Sequence, residues 1–214
     1  MRLRNIKDSD KKLDEHPKVI NMEKEYKGKW NEKFGGDNPI HIEIGMGKGQ
    51  FITSLAKNNS NINYIGFEKF TKVLVRALNN LSEEEINNVF VVRIDVEEIL
   101  DIFEEGEIDR IYLNFSDPWP KDRHDKRRLT HHNFLEKYEK ILSPKGKICF
   151  KTDNKNLFDF SLEELKKYNW NVEKVTRDLH NSIYVEDNTM TEYEEKFVSL
   201  NMPIYRLEAY KNNM

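Results

Sequence analysis

Residues Asn114 to Arg128 read NFSDPWPKDRHDKRR, and the apolar run Ile108 to Phe115 leads into them. The run reads as a buried strand. The prolines of Ser116-Asp117-Pro118-Trp119-Pro120 forbid both continued strand and immediate helix, so the chain must leave the sheet as a stiff loop. That loop presents one carboxylate, Asp117, and one indole, Trp119. A cationic strip follows: Lys121, Arg123, Lys126, Arg127 and Arg128, diluted by Asp122 and Asp125. An acid and an aromatic at a strand end, beside such a strip, suit a flat, polar, phosphate-bearing substrate, as a nucleotide within a nucleic acid is. The plain alternative is a solvated surface run.

Outward from this loop the chain alternates strand and helix. Upstream lie Pro39 to Ile44, Ile62 to Phe67 and Val89 to Ile94, and downstream Lys147 to Lys151. Helical spacing recurs between them, in Phe51, Ile52, Leu55 and Ala56; Val73, Leu74, Ala77, Leu78 and Leu81; Ile99, Leu100 and Phe103. It returns in Phe134, Leu135, Tyr138, Ile141 and Leu142, a helix capped by Thr130 or a neighbour and stopped by Ser143-Pro144-Lys145-Gly146, and in Phe158, Leu162 and Leu165. Five such alternations predict an α/β fold, a mostly parallel sheet with helices on both faces. NVEKVTRDL and PIYRLEAY, beyond residue 170, add two strands as an antiparallel C-terminal edge, seven in all. Residues 39–214 form the domain. Residues 1–38 form an N-terminal arm, with basic Arg2, Arg4, Lys7, Lys11 and Lys12, and with Tyr26, Trp30 and Phe34 four apart.

Bulk composition sets bounds. The 214 residues suit one domain. The net charge is -3, while Lys121 to Arg128 carry +3, so the remainder carries -6. Nucleic-acid binding is therefore expected to be local and strip-like. The one cysteine, Cys149 in KICFK, excludes an internal disulfide and a Cys-based zinc cluster, and reads as an inert buried thiol. No apolar run is long enough to span a bilayer, and MRLRNIKDSDKK lacks a signal-peptide core, so a cytoplasmic location and no membrane partner are expected.

In parallel sheets the ligand lies beyond the carboxyl ends of the strands. Five strands here end in Gly45, Glu68, Asp95, Asp117 and Asp153. Gly45, Gly47 and Gly49 of GMGKGQ let the backbone pass close to a ligand, although Gln50 breaks G-x-G-x-x-G and no P-loop is present. Alone, these glycines also fit a tight turn with no ligand. Glu68 is placed to accept both hydroxyls of an adenosine ribose, Asp95 lies near the adenine edge, and Glu43 suits an ammonium group. S-adenosylmethionine has adenosine at one end and an amino acid at the other. Taken singly, each of these acids fits a salt-bridged or solvated group equally well.

The sequence resembles the bacterial tRNA (guanine-N7-)-methyltransferases in IEIGMGKGQF, in NFSDPWPKDRHDKRRL, in FKTDN at 150–154 and in MTEYEEKF at 190–197. The resemblance covers roughly residues 25 to 210. It implies a Rossmann-like class I methyltransferase fold, S-adenosylmethionine as methyl donor, and a guanine in the variable loop of tRNA as acceptor. It implies donor contacts from Glu43, Glu68, Asp95 and Asp117, with Asp117 catalytic. Lys121, Asp153 and Thr191-Glu192-Tyr193-Glu194 are implied substrate contacts; Arg123, Arg127 and Arg128 are expected on phosphates. T-x-x-E is equally a helix capping box. Trp119 suits stacking on a splayed base or packing in the core. His124, His131 and His132 lack a carboxylate or Cys at ligand spacing, so phosphate contact or exposure is expected and no metal. No DNA partner is expected, and the sequence suits a monomer or a homodimer. Three readings compete: a methyltransferase for an exocyclic amine, an NAD-dependent oxidoreductase, and a catalytically silent RNA-binding relative.

Overall fold

The computed structural model describes residues 8–82 and 86–211. Arg2, Arg4 and Lys7 of the expected basic arm lie outside them. The chain forms two compact units, Met1–Glu104 and Glu105–Met214.

The first unit is built on four parallel strands, β1 (Val19–Ile20), β2 (Ile40–Ile44), β3 (Asn63–Phe67) and β4 (Val89–Val92), in the order β1-β4-β3-β2. Every residue of β2 and β3 is buried. IHIEI and NYIGF are therefore covered on both faces, as strands of a parallel sheet are. The helices are α1 (Ser9–Asp14), α2 (Trp30–Phe34), α3 (Gln50–Asn58), α4 (Thr71–Ser82) and α5 (Ile99–Ile102). Helix α3 buries Phe51, Ile52, Thr53 and Ala56, and α4 buries Leu74, Val75, Ala77, Leu78 and Leu81. Strand β4 ends at Val92, two residues before the expected Ile94, because its partners end there: Phe67 and Ile20 both pair with Val92. Arg93 turns away to Asp10 and Thr71 instead.

The segment before β2 is anchored within this unit. Trp30 is fully buried, and its indole N–H donates to the Ile102 carbonyl at 3.1 Å. Its ring meets those of Tyr26, Phe34 and Phe103. Tyr26 belongs to a separate 3-10 turn, Glu23–Tyr26, so the spacing of four does not mark one continuous helix. Gly35, at φ 76°, closes α2 with N–H bonds back to Asn31 and Glu32.

The second unit holds β5 (Ile108–Asn114), β6 (Leu142–Thr152), β7 (Trp170–Thr176) and β8 (Tyr205–Lys211), in the order β5-β6-β8-β7. β5 and β6 are parallel, and β8 runs antiparallel to both β6 and β7. The expected antiparallel edge is present. Eight strands are found among the described residues where seven were expected, the extra one being the two-residue β1. Helices α6 (His132–Ile141), α7 (Lys155–Lys167) and α8 (Glu192–Ser199) complete the unit.

Ser143–Gly146 does not separate α6 from the next strand. β6 starts at Leu142 and carries SPKG as a bulge, since the register passes from Ile108↔Leu142 to Arg110↔Lys147. Pro144 is tolerated there because bulged residues owe no ladder bond. Gly146 is required, as a Cβ would lie 3.0 Å from the Ile108 carbonyl oxygen and 2.8 Å from Leu142. Cys149 is buried, and burial pushes its thiol up to about 11, so it stays protonated and inert at neutral pH. Among the described residues no helix is long and apolar enough to cross a membrane.

The cap of α6 is His131, whose Nδ1 accepts from Asn133 N–H at 3.3 Å. Thr130 instead shares a 2.7 Å hydroxyl bond with Ser161. Burial, followed by the neighbouring His132, holds the His131 imidazole below its usual 6.5. A cap must also be neutral to accept. Protonation therefore opposes the fold, and the stability present above pH 6.5 is lost as the pH falls through the lowered value. His131→Asn keeps a capping acceptor but cannot titrate. We predict a shallower loss of stability between pH 6.5 and 5 for this variant, measured by urea melts; some slope remains because burial lowers His16 as well.

Candidate active site

The candidate residues of the first unit gather at the carboxyl ends of β2, β3 and β4. At the end of β2 the chain enters Gly45, Gly47 and Gly49 at φ 78°, 59° and 75°, a left-handed conformation that side chains disfavour. Gly45 and Met46 N–H both bond the Phe67 carbonyl at 2.9 Å, tying the turn to the end of β3. A Cβ at Gly45 or Gly47 would meet nothing within 4 Å, so that side of the turn is open. At Gly66 a Cβ would lie 2.2 Å from the Met46 sulfur; its bare backbone is the seat for Met46.

Glu68 joins this turn to the next. It is 8% exposed, and its carboxylate accepts from Gly47 N–H at 3.2 Å and from Phe70 N–H at 2.9 Å. It thus holds the glycine turn and the β3–α4 connection in one arrangement, with one of these bonds to each oxygen. Phe70, two residues on, is 61% exposed; sequence reading passed over it. Asp95 caps the 3-10 turn after β4 by accepting from Glu97 N–H at 3.2 Å, and pairs with Lys69. Glu43 is buried within β2 at 2% exposure.

In the second unit β5 delivers the acidic loop. Asp117 is exposed between two aromatic residues in left-handed backbone, Phe115 at φ 50° and Trp119 at φ 42°. Such conformations cost on the order of 1–3 kcal/mol each and persist only where surroundings hold them. Phe115 is held by its N–H bond to the Lys151 carbonyl and by stacking on Tyr193 and Phe197 of α8, with centroids 6.4 and 6.1 Å away. Trp119 is half-buried, with the Arg127 guanidinium 4.8 Å from its ring and His124 edge-on at 5.8 Å. Core packing, one of its two expected settings, is not what is found.

The cationic strip forms a 3-10 helix, Asp122–Arg127. Lys121, Arg123 and Arg127 are exposed. Arg128 is not directed to solvent as a phosphate contact would be: its Nε and Nη2 donate to the carbonyls of Pro118 and Trp119 at 3.1 and 3.0 Å.

The motif Thr191 to Glu194 divides by burial. Glu192 and Tyr193 are exposed, whereas Thr191 and Glu194 are buried, Glu194 completely. The capping box is formed: Glu194 N–H bonds Thr191 Oγ1 at 3.0 Å, and Thr191 N–H reaches Glu194 Oε2 at 3.4 Å. The same carboxylate accepts from Lys151 Nζ at 2.6 Å and Asn188 Nδ2 at 2.6 Å, and meets His180 Nε2 at 2.9 Å. Glu194 is thus engaged inside the protein, and an expected direct substrate contact does not match that position. Lys151, which sequence reading missed, also donates to Asn188 and to the Thr189 carbonyl. The one signal was a lysine closing the apolar run KICFK. Asp153 follows it, half-buried, just before Asn154 caps α7.

The histidines also differ from expectation. His131 is 4% exposed, and a carboxylate absent from its sequence neighbourhood comes from α7. Glu164 accepts from His132 N–H at 3.0 Å and lies 3.2 Å from His132 Nδ1. Donor atoms of His131, His132 and Glu164 lie within 4.8 Å of one another.

Residues 37–207 match a family described as putative methyltransferase. The chain is 57% identical over 211 residues to a tRNA (guanine-N(7)-)-methyltransferase of Lachnoclostridium phytofermentans, covering 99% of both chains. It is 52% identical over 210 residues to that of Bacillus subtilis, covering 98% of each. Its backbone is similar to a solved antibiotic-related methyltransferase, with a TM-score of 0.61, 18% identity, and 89% of this chain and 94% of that one covered. The fold is thus the α/β methyltransferase fold expected.

The Lys151–Glu194 pair is 7% and 0% exposed at its side chains. Removing one partner of such a pair leaves a buried charge and costs about 3–5 kcal/mol. We predict that Lys151→Met loses that much in urea unfolding, and that adding Glu194→Gln recovers part of it. Strictly additive losses would show the two groups to be uncoupled.

Proposed function

The chain belongs to the tRNA (guanine-N(7)-)-methyltransferase family, and on that premise we propose that its acceptor is a guanine in the tRNA variable loop and that Asp117 is its catalytic residue. The observation that carries the residue assignment is an exposed carboxylate on a proline-clamped strand exit, followed directly by exposed Lys121, Arg123 and Arg127. S-adenosylmethionine supplies an electrophilic methyl on a positively charged sulfur. The first unit fits it: the open side of Gly45 and Gly47 admits a ligand against bare backbone, and the buried Glu68 carboxylate is bonded to that turn at Gly47. Glu68 would hold the ribose hydroxyls, Asp95 the adenine edge and Glu43 the ammonium group.

Guanine N7 is an in-plane lone pair with no proton to lose. Asp117 is therefore no general base. It orients the purine through its N–H groups and stabilises the positive charge the ring gains as the methyl arrives. Holding N7 about 3 Å from the methyl, in line with the departing sulfur, is the larger part of the task. Lys121, Arg123 and Arg127 grip phosphates near the target base, a grip that positions RNA without reading its sequence. Trp119 stacks on the splayed base, a contact worth ~1–3 kcal/mol. Asp153, Glu192 and Tyr193 line the same acceptor side. Residues 39–214 carry the proposed donor and acceptor residues, with β1 and Trp30 before them built into the same first unit, and the enzyme acts in the cytoplasm.

Asp117→Ala should lower single-turnover methylation of unmodified tRNA by about 100-fold or more, with unchanged folding by circular dichroism. Methylation near the wild-type rate would remove Asp117 from the mechanism. Glu68→Ala should weaken donor binding by roughly 10- to 150-fold, the loss of charge-assisted hydrogen bonds worth about 1.5–3 kcal/mol. Calorimetry with donor and filter binding with tRNA check this together. Equal loss of both affinities would assign Glu68 to the fold instead.

A further inference from the structure

Arg128 closes the cationic strip in sequence but not in space. Its planar fork reaches back ten and nine residues, donating from Nε to the Pro118 carbonyl at 3.1 Å and from Nη2 to the Trp119 carbonyl at 3.0 Å. The guanidinium also lies over the ring of Phe160 of α7, whose centre is 4.3 Å from Cζ. Two consecutive carbonyls, one of them belonging to a tryptophan at φ 42°, are thus pinned by one rigid cation on an aromatic shelf.

The geometry points to Arg128 as a positioning residue for the transfer reaction: a clamp that sets the shape of the Asp117 loop and does not itself touch the RNA. The loop needs one. Prolines at 118 and 120 remove two N–H donors, so the loop cannot close a ladder of its own. Trp119 stands in a conformation that a bulky residue avoids unless its surroundings impose it. Only a guanidinium offers two parallel N–H groups at the spacing of adjacent carbonyls, together with a flat face for Phe160. A lysine keeps the charge and loses both features. Arg127, its neighbour, is exposed over the Trp119 indole and stays with the RNA-facing set.

This inference rests on the reading that the Asp117 loop carries the chemistry. The test compares Arg128→Lys and Arg128→Ala for kcat, for tRNA affinity over a salt series, and for acrylamide quenching of Trp119 by difference against Trp119→Phe. Expected are a loss in kcat of tenfold or more in both variants, a salt slope equal to wild type, and a more accessible Trp119. A phosphate contact would behave oppositely: Arg128→Lys would retain activity, and Arg128→Ala would flatten the log–log slope by about 0.7–0.9. Either result overturns the clamp. Should Arg128→Ala fail to fold, Arg128→Lys and Phe160→Leu carry the same three measurements, and an unchanged Trp119 in both overturns it. If Asp117→Ala proves fully active, the functional reading fails alone, because Trp119 accessibility still reports on the clamp.

Discussion

A single buried ammonium organises the strand-end loops of the second unit. Lys151 Nζ donates to the Glu194 carboxylate, the Asn188 side chain and the Thr189 carbonyl. A charge at this depth is tolerable only when its hydrogen-bonding capacity is filled. That requirement pins the 188–194 segment, and with it the start of α8, against the end of β6. The other end of the same residue acts too, since the Lys151 carbonyl accepts the Phe115 N–H at the exit of β5. One residue therefore ties the acidic loop, the β6 end and the α8 cap into one body.

In the first unit the corresponding constraint is a carboxylate, not a cation. Glu68 gathers N–H groups from the glycine turn and from the β3–α4 connection. Both halves follow one rule. A charged side chain at a strand end, mostly buried, is bonded to groups of a neighbouring turn and so fixes that turn. Asp117, Lys121 and Tyr193 are exposed and sit one or a few residues away on backbone that is already held. Buried neighbours fix the backbone, while these three side chains stay open to solvent.

The basic strip shows how one run of like residues divides by role. Lys121, Arg123 and Arg127 face outward, and the local excess of positive charge they create in an otherwise acidic chain suits a polyanion gripped at one place. Arg128 is half-buried and bonded to the loop it follows. In T-E-Y-E the same division recurs over four residues. A helical period turns two of them inward to make the cap and the buried pair, and leaves Glu192 and Tyr193 outward.

Local chemistry by itself determined the alternation of strand and helix, the glycine turn, the proline-stiffened exit at Asp117 and the antiparallel end of the chain. These follow from period, from φ limits and from missing N–H groups, all of which act within a few residues. Local chemistry left the reaction family to resemblance, carried by NFSDPWPK with its basic run. It did not determine that SPKG would be absorbed as a bulge, that His131 would cap a helix beside Glu164, or that β4 would stop at Val92. Each of those was settled by a partner 25 or more residues away. Tertiary structure alone decided which polar residues turn inward. Lys151, Glu194 and Arg128 look in sequence like any surface charge, and only the arrival of Asn188, Phe160 and the loop carbonyls makes their burial favourable. A buried charge is stable only where distant chain brings enough partners to replace water.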